Sequence, residues 1–246
     1  MTEEVTKAEV TPTETNPEIE EPAAPKTKAE ILQQMATERD ISGADMSGMA
    51  LAGTRFAGLK MQKVNLANAD ISGGIFAGAD AAEADFSNAN LSGAKFMGVN
   101  LAKAILRNAQ LAAVKILGAN MAGTDLSNTD LTDAKLMGTN LEGAAAKNAN
   151  LTAVKVLGSN FRDTDFTNAD LTAATLKRID VTGADFTDVD TTGARSGGVD
   201  WSQAKVPPKQ LPEEIPMMPP WLPGVIAGVV VVLLIVLLRR KKKEEG

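Results

Sequence analysis

An apolar side chain recurs every five residues from Ile41 to Trp201 with almost no break in the pattern and none in its register. Neither regular secondary structure keeps such a repeat on one side. Five residues turn an α-helix by about 140°, and a step of five along a β-strand ends on the opposite face. Each five-residue unit must therefore be a short extended segment followed by a corner that returns the same column of side chains to the interior.

A longer period sets the number of corners in one turn of this coil. Asn recurs every twenty residues from Asn68 to Asn168, and Gly does so from Gly58 to Gly158. Both residue types tolerate the unusual backbone angles of a corner. Twenty residues are four units, so one turn has four sides. Parallel β-type hydrogen bonds at about 4.8 Å then stack about eight turns over residues 40–203 into a rod roughly 38 Å long.

The repeated unit also points to a known family. The pattern A-[DN]-[LF]-x-x, seen in ADFSNANLSGAKF (84–96) and TDLSNTDLTDAKL (124–136), resembles that of the pentapeptide-repeat proteins. The resemblance covers about 160 of the 246 residues. It implies an all-β fold, a right-handed quadrilateral parallel β-helix, and it implies little about activity, because one fold hosts many functions.

The segments that flank the repeat have different compositions. Residues 1–26 are acidic and rich in Thr, Glu and Pro, which is typical of a disordered tail. Residues 27–39 predict a short helix that caps the first turn. We expect Trp201 and the residues after it to cover the last turn, because an uncovered sheet edge invites pairing with other chains. The remaining stretch, 204–220, is Pro-rich and predicts a semi-rigid linker.

Residues 221–238 predict a transmembrane helix, so the expected fold is the β-helix plus one C-terminal membrane span. They contain no charged residue, and a helix of this length spans roughly 27 Å, close to the thickness of the hydrocarbon core. Trp221 on one side, and Arg239, Arg240 and Lys241 of the basic tail 239–246 on the other, suit the membrane interfaces. The lipid bilayer is therefore an expected partner.

The side of the membrane that the repeat faces is contested. Basic residues prefer the cytoplasmic side, which would place residues 1–220 outside. The acidic N-terminus, however, has no apolar signal segment that would direct export. We expect a cytoplasm-facing repeat domain.

Composition excludes several kinds of chemistry. There is no Cys and no His, which rules out disulfides, Cys/His metal sites and imidazole bases. Asp and Asn alternate before the buried centres on three sides, as in Asp130, Asn150 and Asp170. These columns could form a carboxylate array for metal ions, but interruption by Asn favours hydrogen bonding along the turns and solubility. We expect no catalysis, no cofactor and no metal.

The fourth side has a different composition, and we call it the lysine face. The column before the buried centre is Lys95, Lys115, Lys135 and Lys155. The column after it is Met97, Leu117, Met137 and Leu157. The corresponding column after the centre on the other sides is mostly Ser, Thr or Ala. Exposed apolar patches usually mark binding surfaces. The alternative is a choice of residues that simply favours β-structure.

These features predict a non-enzymatic scaffold that docks a protein partner at a membrane through the lysine face, as an accessory subunit of a membrane complex. The leading alternative is a homo-oligomer formed through that face or through the ends of the coil. A third alternative is a DNA-mimic regulator of a nucleic-acid enzyme such as gyrase, since the chain resembles pentapeptide-repeat proteins, some of which protect DNA gyrase by mimicking DNA. Residues 40–201 contain 18 acids and 14 bases, a net charge of −4. DNA carries one charge per about 1.7 Å, so a rod with this net charge is far too weakly charged to mimic it. We therefore expect neither DNA mimicry nor a nucleic-acid partner.

Overall fold

The computed structural model of the chain describes residues 27–215. The predicted acidic tail, the end of the predicted linker, the apolar segment 221–238 and the basic tail lie outside the described residues. Within 27–215, no helix is long and apolar enough to cross a membrane.

The body of the protein is an all-parallel β-solenoid. Seven three-residue strands mark successive turns, and each of the first six pairs in parallel with the strand twenty residues further on. A two-residue strand, β8 (Glu213–Glu214), completes the sheet beside β7. The seven strands are β1 (Ile75–Ala77), β2 (Lys95–Met97), β3 (Lys115–Leu117), β4 (Lys135–Met137), β5 (Lys155–Leu157), β6 (Thr175–Lys177) and β7 (Arg195–Gly197).

Single parallel bridges join the turns on the three remaining sides. Examples are Asn65 to Asp85, Asp70 to Asn90 and Asp80 to Asn100, again twenty residues apart. Residues 40–60 form a further turn that is joined to β1 and its neighbours by bridges of the same kind. The predicted parallel β-helix with four sides and a twenty-residue turn is therefore confirmed.

The central residue of each unit is buried, as the five-residue period requires. Phe76 lies between Phe56 and Phe96, with ring centroids 4.6 Å from each and nearly parallel planes. Residues two positions earlier, such as Ala94 and Val114, are buried as well. The interior is consequently filled mainly by columns of apolar side chains that run along the solenoid, with a few buried Thr and Ser among them.

The corners lie two residues after each centre, where φ is positive throughout residues 43–198. On the bridged sides the corner is a tight turn: the backbone N–H of Ala69, for example, donates to the carbonyl of Leu66 at 3.1 Å, with Asn68 at φ 61°. A positive φ at this position favours Gly and Asn, which explains the Asn column on a bridged side and the Gly column on the lysine face. Ala occupies this position at Ala113, Ala153 and Ala173.

Helix α1 (Lys28–Thr37) covers the first turn. Its N-terminus has a capping box in which Thr27 and Glu30 bond reciprocally, and Ile31 is fully buried against the core. The side-chain amide of Gln34 donates to the carbonyl of Asp40 at 2.8 Å. These contacts occupy an end that would otherwise expose unpaired backbone groups.

The C-terminal end is closed by residues 201–215. Trp201 is 9% exposed and meets Phe186 edge-on. Val206 bridges to Asp185, and β8 extends the sheet next to β7. Residues 204–215, the first part of the segment interpreted as a linker, thus bond to the last turn, because the edge of that turn offers backbone donors and acceptors that need partners.

Candidate docking face

The lysine face contains strands β1 to β7, and its eight predicted residues come together in one surface. Lys95, Lys115, Lys135 and Lys155 are aligned in successive strands, and so are Met97, Leu117, Met137 and Leu157. In each strand from β2 to β5 the first and third residues are exposed and the second is buried. Strand alternation therefore aims both columns outward, on either side of the buried centre.

The apolar column is accessible along four turns. Met97, Leu117, Met137 and Leu157 are 38–44% exposed. The column is bounded by Ala77 in β1 and by Lys177 in β6, which occupy the same position in the neighbouring strands. A shallow groove of about 350 Å³ lies at its C-terminal half. Its lining residues are Lys135, Met137, Lys155, Val156, Leu157, Thr175 and Lys177.

Charge is segregated between this face and the rest of the solenoid. Between residues 40 and 201, the five-residue segments of the lysine face contain eight bases and no acid, whereas the other three sides hold all 18 acids and the remaining six bases. The net charge is therefore +8 on one side and −12 on the other three. The bases are Arg55, Lys95, Lys115, Lys135, Lys155, Lys177, Arg178 and Arg195.

The four aligned lysines lack the ion pairs that four of the six bases on the other sides form within the described residues. On the other sides, Arg107 pairs with Asp125 at 2.5 Å and Lys147 pairs with Asp165 at 3.0 Å. Among the described residues, no carboxylate lies within ion-pair distance of Lys95, Lys115, Lys135 or Lys155. Neighbouring ammonium groups about 5 Å apart in water repel by only about 1 kcal/mol, so the fold tolerates the column. An anionic partner would remove that repulsion.

Four further bases of this face were not predicted from the sequence as part of the site. Arg55, Lys177, Arg178 and Arg195 extend the positive side beyond the four lysines toward both ends. Each of these residues could have been assigned to a side by its position within the twenty-residue period. The ion pair between Arg195 and Glu213, at 3.6 Å, depends on the fold of the C-terminal segment.

The Asp and Asn columns on the other sides shape the turns. Their side-chain oxygens accept the backbone N–H two residues on, as Asp85 does from Ser87 at 2.8 Å and Asn150 from Thr152 at 3.0 Å. Asn side chains also donate along the column, for example from Asn100 to Asp80 at 2.8 Å. Within the part of the chain that the structure describes, no three carboxylates are grouped as a metal site would require.

Hydrogen bonds of this kind lower the pKa of Asp180 and of Asp40. A bond from the hydroxyl of Thr182 lowers the pKa of Asp180, and so do the Thr182 backbone N–H and the Arg162 guanidinium, whereas partial burial acts in the opposite direction. In Asp40 the backbone N–H of Ser42 has the largest lowering effect on the pKa. Lowered pKa values are typical of structural carboxylates, while a general acid needs a raised one.

Solved structures of similar fold include two trypsin-treated forms of QnrB1, described as a plasmid-mediated fluoroquinolone resistance protein. They match with TM-scores of 0.63 and 0.62 and identities of 18% and 17%, each over 72% of this chain and 89% of theirs. HetL, a pentapeptide-repeat protein involved in heterocyst differentiation regulation in Nostoc sp. strain PCC 7120, matches with a TM-score of 0.40 and 19% identity, over 74% of this chain and 98% of its own. At such identities the likeness to QnrB1 supports the fold alone.

Among proteins of curated function, none matches the chain in sequence. The family model for pentapeptide repeats (8 copies) matches residues 40–76, 65–102, 104–143 and 149–188. These matches cover more than half of the chain and follow the turns of the solenoid. The chain therefore belongs to the pentapeptide-repeat family.

Proposed function

We propose that this protein is a non-enzymatic scaffold that docks a protein partner at a membrane through the lysine face. The observation that carries the proposal is the exposed column of Met97, Leu117, Met137 and Leu157. Beside it runs the column of four lysines, which have no ion-pair partner within residues 27–215. Contiguous apolar surface of this kind usually marks a binding site. The rigid solenoid keeps the two columns in register without cost at the moment of binding.

The composition of the neighbouring turns supports the assignment. On the other sides, the equivalent outward position holds mostly short polar residues such as Ser87 and Thr132 or the small residue Ala112. Ile105 is a single exposed apolar residue, 39% exposed, between Asp85 and Asp125 in its column. Four adjacent apolar residues occur only on the lysine face among residues 40–201 of the described chain.

Membrane attachment is the second part of the proposal. Residues 221–238 are free of charge and long enough to span a bilayer, and Trp221, Arg239, Arg240 and Lys241 would act as interfacial anchors. β8 ends at Glu214, within the sheet of the lysine face. The chain therefore leaves the solenoid at the C-terminal end of that face, which would put a partner docked there near the membrane. We further propose that the repeat faces the cytoplasm.

Docking is tested by recovering the intact protein from membranes in mild detergent and identifying the proteins that accompany it. The variant Met97→Thr, Leu117→Thr, Met137→Thr and Leu157→Thr should keep its fold, because Thr suits exposed strand positions, and should lose the partner. Ile105→Thr is the matched control, since it removes an equally exposed apolar side chain from another side. Equal partner recovery from the four-residue variant and from the unchanged protein would contradict docking through this face.

Membrane attachment has a separate test. A chain that ends at residue 215 should appear in the soluble fraction after cell lysis, while the intact protein should sediment with membranes. Digestion of the repeat by protease added outside sealed inside-out vesicles would support the cytoplasmic orientation. Protection of the repeat in those vesicles would reverse it. Sedimentation of the shortened chain with membranes would show that residues 216–246 are not needed for attachment.

A further inference from the structure

On the lysine face, each strand from β2 to β5 is hydrogen-bonded to a strand on both sides. The N–H of Lys115 donates to the carbonyl of Ala94 at 3.0 Å, and the N–H of Gly98 donates to the carbonyl of Leu117 at 2.9 Å. A partner on this face therefore cannot add a strand, because strand addition needs free donors and acceptors at a sheet edge. It must be recognised by side chains alone.

The spacing of these side chains suits an α-helix laid along the solenoid. The lysine and apolar columns are two strand residues apart, about 6.6 Å, and repeat with the turns at about 4.8 Å. A helix presents a side chain to the same side every three to four residues, a rise of about 4.5–6 Å. About eleven helical residues, roughly 16 Å, would cover the four turns from Lys95 to Leu157.

The charges define the composition of such a helix. The face has eight bases and no acid between residues 40 and 201, and its four aligned lysines lack carboxylate partners among the described residues. A helix with acids along one flank would neutralise them. Apolar residues along the adjoining flank would cover Met97, Leu117, Met137 and Leu157.

We infer that the lysine face binds an acidic amphipathic α-helix of a partner protein, with the helix axis along the solenoid. The inference rests on the proposed function and names the chemistry of its partner. Acids over the lysine column would set register and orientation, and the apolar column would supply the buried contact area.

The test places a photo-crosslinking amino acid at position 137 of the intact protein in its native membrane and maps the captured peptide by mass spectrometry. The same group at position 105 is the control for an equally exposed position on another side. Position 137 should capture a segment of another protein in which Asp or Glu recurs every three to four residues beside an apolar stripe. Position 105 should not capture that segment.

Charge reversal then tests the role of the lysines. Lys115→Glu with Lys135→Glu should lower capture from position 137 by about tenfold or more, since two charge contacts become repulsive. The reversal turns two of the three like-charge contacts in the column into contacts of opposite charge, so it should not unfold the solenoid. Lys60→Glu with Lys103→Glu makes the same change of charge on another side and should leave capture unchanged. Equal capture from both double variants would overturn the inference.

Other captured species separate this inference from the proposed function. A partner segment that is basic, or that lacks the helical spacing of acids, would overturn the helix while leaving docking intact. Capture of residues 1–26, of a second copy of the chain, of lipid or of nucleic acid in place of another protein would overturn both. So would the absence of any crosslink.

The acidic residues 1–26 of the chain itself are not the expected partner. They contain four prolines, which disfavour a helix.

Discussion

The indole of Trp201 meets the ring of Phe186 edge-on, with the ring centroids 5.3 Å apart and the planes 75° to each other. The indole N–H also donates to the hydroxyl of Ser196 at 3.3 Å. Phe186 stacks on Phe166 and is the last phenylalanine of that buried column. Trp201 covers it from the C-terminal end. Trp201 therefore covers the aromatic core at the end where the repeat stops.

Replacement of Trp201 should destabilise the fold. Trp201→Ala should lower the free energy of unfolding by about 3–5 kcal/mol, the range for removal of a large buried aromatic side chain. Trp201→Phe keeps an aromatic ring over Phe186 and should cost less. Urea unfolding of the purified chain, followed by circular dichroism, measures both values. Equal stability of Trp201→Ala and the unchanged chain would show that the indole does not stabilise the C-terminal end of the solenoid.

Alanine at a corner should be replaceable by glycine with a gain in stability. Ala153 has φ 56°, a conformation that costs an L-residue about 1–2 kcal/mol. Ala153→Gly relieves that strain but adds freedom to the unfolded chain, so we expect a net gain of about 0.5–1 kcal/mol. Gly158→Ala is the matched reverse change, at φ 61° with open space around the added methyl group. It should lose a similar amount in the same thermal unfolding assay.

One buried hydroxyl should be dispensable. Thr139 is 1% exposed, and its Oγ1 has no hydrogen-bond partner among the described residues. Thr139→Val should stabilise the fold by about 1 kcal/mol, because an unsatisfied polar group is removed. Val99 already occupies the equivalent position two turns earlier, so the new methyl group has a precedent in the column.

A buried threonine that is bonded is the control for this change. The Thr164 hydroxyl donates to the carbonyl of Leu141 at 2.8 Å, so Thr164→Val should lower stability by about 1 kcal/mol. Differential scanning calorimetry of the two variants compares them directly. Destabilisation by Thr139→Val as large as that of Thr164→Val would contradict the assignment of Thr139 as unsatisfied.

Low pH should lower the stability of the folded state. The folded state lowers the pKa of Asp180 below its ordinary value of 3.8, with the Thr182 hydroxyl as the largest cause. Its contribution to stability is therefore present above about pH 4 and is lost as the pH falls through the lower folded value. Thermal unfolding between pH 7 and pH 2 should show a flat upper range and a falling melting temperature in acid.

Asp180→Asn separates the charge from the hydrogen bond. The Asn oxygen can still accept the N–H two residues on, as Asn160 does from Arg162 at 3.0 Å. At pH 7 the variant should lose at most about 1 kcal/mol, the value of an exposed ion pair, and its stability should depend less on pH. Asp180→Ala removes the acceptor as well and should be less stable than Asp180→Asn at both ends of the range.

The lysine face shows how far the sequence could predict the candidate site. The twenty-residue period alone places Lys115 beside Lys135, and Leu117 beside Met137, because one turn of the coil has a constant length. The same period could have placed Arg55 and Arg195 on this side. The ion pair between Arg195 and Glu213 could not be predicted, since these residues come together where the chain leaves the repeat.

By itself, the sequence determined the four-sided parallel coil, its buried columns and its Gly and Asn corners, because every unit repeats the same local requirement at the same spacing. Only the tertiary structure decided how the coil ends: residues 204–215 bond to the last turn, with β8 beside β7. It also decided that strands form on the lysine face while the other sides meet by single bridges. These features depend on contacts between successive turns and on the unpaired groups at an edge, which no five-residue pattern contains.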